Sequence, residues 1–233
     1  MALPKLNTPK YMAKVPSTGK EVEFRPYKVK EEKMLMIAAE SNDERQIIGA
    51  MKELIDACTF GAIDINKLTM FDLEYIFVKL RAKSVGETTT LGLTCTGCDA
   101  KSDIKVSLED VKVNVDKNVN SKIELSDGIG VTMKYPGIND MMDIGGDKSD
   151  VDKMMGMIRA SIETIYTSEE VFNVKEQSVQ EVDEFIDSLT SKQFSEIREY
   201  LEKMPAAQMD IEYECTSCGV KNDQVIKGTA NFF

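Results

Sequence analysis

A chain of 233 residues, 42% of them hydrophobic and 30% charged, is long enough to bury its own core and has the composition of a globular protein. It contains no histidine, which excludes Ser-His-Asp and Cys-His nucleophile pairs and every metal site with an imidazole ligand. Its 40 acidic and 29 basic residues leave a net charge of −11, a field that repels phosphate backbones and anionic lipid and so argues against nucleic-acid or membrane-surface partners. Any general acid–base work would fall to Asp, Glu, Lys, Tyr or Cys. No stretch approaches the ~18 apolar residues of a membrane span, and Met1-Ala-Leu-Pro-Lys5 lacks the apolar run of a signal peptide. The expected compartment is a reducing cytosol, where paired cysteines hold metal more often than they form structural disulfides.

In chain order, Val15-Pro-Ser-Thr-Gly-Lys-Glu-Val-Glu-Phe-Arg-Pro26 reads as a β-hairpin, with Val22 and Phe24 alternating with charge after a turn at Ser17–Gly19. A short helix over 31–40 carries Met34, Leu35 and Ile37. Ser41-Asn-Asp-Glu44 has the form of a capping box. The helix it would start places Ile47, Ile48, Met51, Leu54, Ile55 and Cys58 on one stripe. Thr69-Met-Phe-Asp72 is a second box, leading into Leu73, Ile76, Phe77 and Leu80; Gly86 ends that helix, and a strand over 88–94 enters Cys95.

The second half repeats this order. A turn and strand over 125–136 end at Pro136, and Val151, Met154, Met155, Ile158, Ile162 and Ile165 form a helical stripe. Ser178/Glu181 and Thr190/Gln193 cap two further helices, and a strand over 208–213 enters Cys215. Ile47-Ile-Gly-Ala-Met-Lys-Glu-Leu-Ile-Asp56 aligns with Met154-Met-Gly-Met-Ile-Arg-Ala-Ser-Ile-Glu163 in its glycine, its basic residue, its closing isoleucine and its final acid. Two amphipathic helices resemble each other by necessity, but the order of elements matches as well. The expectation is an α+β protein of two divergent repeats, 1–115 and 116–233, with a period of roughly 110 to 120 residues. Each repeat would hold a β-hairpin, amphipathic helices and a strand–CxxC–strand knuckle.

Cys95-Thr-Gly-Cys98 and Cys215-Thr-Ser-Cys218-Gly219 carry the sharpest chemical signal. A Cys-x-x-Cys pair at a tight turn lets two thiolates reach one tetrahedral ion, and four thiolates favour zinc. Residues 99–214 separate the pairs, far more than in a contiguous zinc ribbon. The duplication accounts for this if each repeat delivers one knuckle to a shared, split zinc-ribbon-like site holding one structural Zn. A thioredoxin-like redox pair would need a cysteine at a helix start, and these pairs lie between β-like segments. Reduced thiols that have lost their metal are the third reading. Cys58, on an apolar stripe, reads as an inert core residue.

No phosphate-binding glycine loop or dinucleotide fingerprint occurs. The acidic run Asp140, Asp143, Asp147, Asp150 and Asp152 does not fit a calcium loop and reads as a solvated linker. Most of the 14 methionines suit a core, while Met154, Met155 and Met157 suit a docking face for a partner helix. The ending Asn231-Phe232-Phe233 offers two aromatics, either to this chain's own core or to a partner.

Several of these segments together resemble the T-even-type bacteriophage baseplate hub family, the assembly proteins of contractile tails. The carrying residues are Val15-Pro-Ser-Thr-Gly-Lys-Glu-Val-Glu-Phe-Arg-Pro-Tyr-Lys-Val-Lys-Glu-Glu-Lys33 and Phe71-Asp-Leu-Glu-Tyr-Ile-Phe-Val-Lys-Leu-Arg-Ala-Lys-Ser-Val-Gly-Glu87. The cysteine pairs, Met133-Lys-Tyr-Pro136 and the Phe-Phe end are similar too, and the likeness is loosest over 117–181. The resemblance implies a non-enzymatic phage protein that builds the baseplate hub, as assembly factor or as component. Its partners would be other tail and hub proteins, including the tape-measure protein. Its location would be the host cytoplasm during assembly, or the virion. The rival expectation is a zinc-ribbon regulator acting on nucleic acid or polymerase, which the acidic charge disfavours.

Overall fold

The computed structural model describes residues 7–116, 119–145 and 148–228, so Phe232 and Phe233 lie outside the described residues. Along the chain run β1 (Tyr11–Lys14), β2 (Glu21–Phe24), α1 (Val29–Glu40), α2 (Glu44–Cys58), α3 (Met70–Ser84), β3 (Thr88–Thr94), β4 (Lys101–Ser107) and β5 (Lys112–Val113). Then follow β6 (Lys122–Ser126), β7 (Ile129–Met133), α4 (Ile138–Ile144), α5 (Asp150–Ser161), β8 (Ile162–Tyr166) and β9 (Val171–Asn173). The chain closes with α6 (Val179–Asp187), α7 (Ser191–Glu202), β10 (Ala207–Glu214) and β11 (Lys221–Lys227). The fold is mixed α+β. Among the described residues, no helix is long and apolar enough to cross a membrane.

Two compact units result, one taking the chain up to Asn114 together with everything from Ala206 onward, the other Val115–Pro205. The first boundary falls next to the expected cut after residue 115. The second half, however, does not stay together as 116–233, because β10 and β11 join the first unit. The cause is local pairing and pattern. β10 pairs antiparallel with β5, Ala207 opposite Val113 and Gln208 opposite Lys112, and pairs with β11 on its other side. Its alternate residues Ala207, Met209, Ile211 and Tyr213 all face one core, with Val78 and Ala82 of α3 and Leu91 and Leu93 of β3.

In the first unit, α3 is central. Thr69 and Asp72 form the expected capping box, and Asp72 is fully buried. The Asp72 carboxylate accepts from Thr69 N–H at 3.0 Å, from the Thr69 hydroxyl at 2.7 Å and from Ser17 N–H at 2.8 Å. One side chain therefore starts α3 and fastens the turn of the β1–β2 hairpin to it. The α2 stripe buries Ile48, Met51, Leu54, Ile55 and Cys58 as its spacing requires. The cap expected at Ser41 lies two residues further on: Asp43 caps α2 by accepting from Arg45 N–H at 2.9 Å. The Ser41 hydroxyl instead donates to Ala38 O at 2.6 Å and closes α1, and Asn42 makes the reversal at φ 52°.

The second unit is a four-stranded antiparallel meander, β6-β7-β8-β9, covered by helices. Val131, Met133, Ile158, Ile162, Val182, Ile186, Ile197 and Tyr200 form its core. The boxes at Ser178/Glu181 and Thr190/Gln193 are present as expected. The helical stripe through Ile162 and Ile165 is corrected: α5 stops at Ser161, and both isoleucines lie on β8, opposite Met133 and Val131 of β7. Ile162-Glu-Thr-Ile-Tyr166 is dense in β-branched and aromatic residues, which favour a pleated surface over a helical turn. Gly128 turns the β6–β7 hairpin at φ 75°, and Gly130 permits close packing, since a Cβ there would collide with the Tyr166 hydroxyl and the Ile123 carbonyl.

Replacing Asp72 by Ala leaves three donors without their acceptor and should cost about 3 kcal/mol, with Asp72→Asn milder; urea unfolding midpoints check this. Glu74, partly buried on α3, has its carboxyl pushed up to about 7 by burial, against an ordinary 4.5. The folded chain therefore holds a proton that the unfolded chain has released. The stability tied to this group is present below pH 4.5 and is lost as pH rises through about 7, by at most roughly 3 kcal/mol. Glu74→Gln should flatten this slope in melting temperatures taken from pH 5 to 8.

Candidate metal centre

Two hairpins present the cysteines. β3 pairs with β4 from Thr88 opposite Ser107 to Thr94 opposite Lys101, and β10 pairs with β11 as far as Glu214 opposite Lys221. The turns are built alike. Cys95 N–H donates to Ala100 O at 2.9 Å and Asp99 N–H to Cys95 O at 3.0 Å. Cys215 N–H donates to Val220 O and Gly219 N–H to Cys215 O, both at 2.9 Å. The residue after each second cysteine is left-handed, Asp99 at φ 56° and Gly219 at φ 74°, a conformation that Gly and Asp tolerate best.

These turns bring all four sulfurs within 4.8 Å of one another. Cys95 Sγ lies 3.7 Å from Cys218 Sγ, and Cys98 Sγ lies 3.7 Å from Cys215 Sγ. A disulfide would need about 2.05 Å. Four sulfurs at ~2.3 Å from a tetrahedral ion lie about 3.8 Å apart along each edge. The short cross-hairpin distances thus match a four-thiolate metal site, and the four cysteines can hold a metal ion. Each pair contributes one buried residue, Cys95 and Cys215, and one exposed residue, Cys98 and Cys218.

The electrostatics agree. Gly97 N–H points at Cys95 Sγ at 3.3 Å, and this hydrogen bond, helped by Asn222 and Cys98 N–H, draws the Cys95 pKa down to about 6 against burial. The backbone N–H groups of Cys218 and Ser217 lower that of Cys215. At Cys98 the Ala100 backbone acts to lower the pKa, but hydrogen bonding with Cys218, burial and the other two sulfurs outweigh it, up to about 12. Without a cation the cluster shares protons, because four adjacent negative sulfurs cannot all persist uncompensated. A metal ion bound by all four thiolates would supply that compensation and would have no open coordination position. The redox alternative lacks its main support, since both pairs sit in turns between strands and not at a helix start.

The remaining sequence candidates fall elsewhere. Cys58 is fully buried and burial raises its pKa to about 11, which leaves it an unreactive core thiol. Met154, Met155 and Met157 are all partly buried on α5 of the other unit. Met154 and Met155 pack on that unit's core, and Met155 also borders an open cleft of about 660 Å3. In the acidic run, Asp140 accepts from Gly137 N–H at 2.9 Å and Asp152 from the Ser149 hydroxyl at 2.6 Å; these two acids cap helices.

Two features have no clear signature in the sequence. Asn222 touches the cluster from β11, and no spacing rule singles out an asparagine four residues past a cysteine. Helix α1 buries only Glu31 and Ala38 and exposes Val29, Met36 and Ile37 at 66%, 59% and 67%. Its run Met34-Leu-Met-Ile37 shows apolar content, yet gives no sign that the helix lies on the surface.

Among known proteins, the family described as T4 bacteriophage base plate protein matches residues 8–233. No curated protein and no solved structure matches the chain.

Elemental analysis of the purified chain should give about one divalent metal per molecule, and Cys95→Ser should abolish it. Chelation should selectively speed amide hydrogen exchange in β3, β4, β10 and β11, and no change there would contradict a shared site.

Proposed function

The chain belongs to the T4 bacteriophage base plate protein family, and on that premise we propose that it acts, without catalysis, in building the hub of the contractile-tail baseplate. The match over nearly the whole chain carries this reading, because every helix and strand described lies inside it. The working parts are contact surfaces. The exposed Val29, Met36 and Ile37 of α1 offer an apolar helical face. Met154, Met155 and Met157 add an adaptable rim to the second unit, and Phe232 and Phe233 add an aromatic anchor. The partners are other tail and hub proteins, among them a helical segment of the tape-measure protein, covered until assembly and then released. The protein works in the host cytoplasm and either leaves the particle or stays in its tail.

Zinc is the metal this reading assigns to Cys95, Cys98, Cys215 and Cys218, since four thiolates in tetrahedral spacing suit it best. It fastens the two hairpins and takes no part in chemistry. The likeness of the two knuckle turns also supports descent of both halves from one duplicated unit. The strands that carry the second knuckle bear Glu212, Glu214 and Asp223 with Lys221, a surface that suits protein contacts better than a phosphate backbone.

Affinity purification of the tagged protein from infected cells, followed by mass spectrometry, should enrich hub and tape-measure proteins. Recovery of no tail protein would sink the proposal. Salt-dependent retardation of DNA would favour the regulator instead. Proteomics of purified virions separates an assembly factor from a component.

A further inference from the structure

Asn222, near the start of β11, is 3% exposed. Its Oδ1 accepts from Thr96 N–H and from the Thr96 hydroxyl, both at 2.9 Å. Its Nδ2 donates to Val220 O at 2.9 Å and to Cys95 Sγ at 3.6 Å. Both lone pairs and both N–H groups are therefore engaged, and the partners leave no freedom to exchange oxygen and nitrogen. Asn222 belongs to the second hairpin, yet Thr96 and Cys95 belong to the first. It is a tie between the knuckles made of hydrogen bonds alone.

The first hairpin has a position in the same register. Ser102 lies opposite Leu93 as Asn222 lies opposite Tyr213. Ser102 is also buried, at 6% exposure, but its hydroxyl has no hydrogen-bond partner among the described residues. Only one of the two matched positions crosses between the knuckles. The sulfurs differ accordingly: Cys95 receives a side-chain N–H in addition to backbone N–H groups, whereas Cys215 receives its N–H bonds from Cys218 and Ser217 of its own turn.

We propose that Asn222 is a positioning residue of the metal centre, holding the Thr96–Cys98 turn against the second hairpin and orienting Cys95 Sγ through an N–H···S hydrogen bond. The sulfurs are then set near tetrahedral spacing before the ion arrives. The inference rests on reading the four cysteines as a metal site. Its physical basis is general: groups that hydrogen-bond to ligand atoms fix their direction and temper their charge. Aspartate at this position would keep the size of the side chain, remove both donors and set a second negative charge beside the Cys95 thiolate. Serine would keep a hydroxyl but fall short of the first hairpin.

The test uses the full-length chain loaded with zinc, or with cobalt as a spectroscopic substitute. Competition against a chromophoric chelator should show zinc bound about 10- to 100-fold more weakly by Asn222→Asp. The thiolate-to-cobalt charge-transfer bands should shift with it, a change that a purely structural role would not produce. Thr96→Ala, which keeps the backbone N–H, should lose less than about 10-fold, and Ser102→Ala should match wild type. Asn222→Asp with wild-type zinc affinity and unshifted cobalt bands would overturn the proposal. If circular dichroism shows that Asn222→Asp does not fold, Asn222→Ser decides by the same two readouts. A wild-type chain that takes up no stoichiometric metal would instead overturn the reading of the cysteines themselves.

Discussion

Four sulfurs drawn from two distant stretches of chain sit within 4.8 Å of one another, and this crowding governs the first unit. Four thiolates that close repel, so the cluster either shares protons or takes up a cation, with N–H donors offsetting part of the charge. The turns supply donors from their own backbone, and the left-handed residue after each second cysteine closes the turn by donating its N–H to the carbonyl of the first. Asn222 supplies one more across the gap. The hairpins in turn depend on α3, whose Val78 and Ala82 share one core with Leu93 and Tyr213, the residues two before each knuckle. Apolar burial places the knuckles, and electrostatics completes them.

The connectivity follows from the same requirement. Bringing residues 95–98 to residues 215–218 closes a long loop, with an entropic cost that rises only slowly with length. A whole second unit can therefore occupy the loop at little further cost. The strands at which the chain leaves and re-enters the first unit are neighbours, with Ala207 opposite Val113. An ion held by the four cysteines would cross-link the two chain segments of the first unit, much as a disulfide would.

The surfaces are separate from this scaffold. The proposed role in hub building would ask for specific contacts that form once and in order, and an exposed apolar helix suits that task. α1 illustrates the division: Glu31 is buried and paired with Arg25 at 3.0 Å, securing the helix at its base, while Met36 and Ile37 are exposed. These exposed apolar side chains are the area that the proposed docking role would cover.

Much of the fold is legible in the order of residues. Capping boxes at Thr69, Ser178 and Thr190, the α2 stripe, the strand into Cys95 and the two Cys-x-x-Cys turns are local patterns with local causes, so spacing alone exposes them. Spacing misleads where neighbouring elements decide. Ile162 and Ile165 fit a helical period, but pairing with β7 makes them a strand. The second knuckle reads as part of a second domain only if adjacency along the chain means adjacency in space. β10 and β11 return to the first unit because their alternating apolar face completes the core under α3. The sequence by itself singled out the metal-ligand candidates, since in a chain with no histidine the two closely spaced cysteine pairs are the sharpest ligand signal. Only the tertiary structure decided that all four sulfurs meet and that an asparagine joins them, because long-range packing sets those distances and no local periodicity records it.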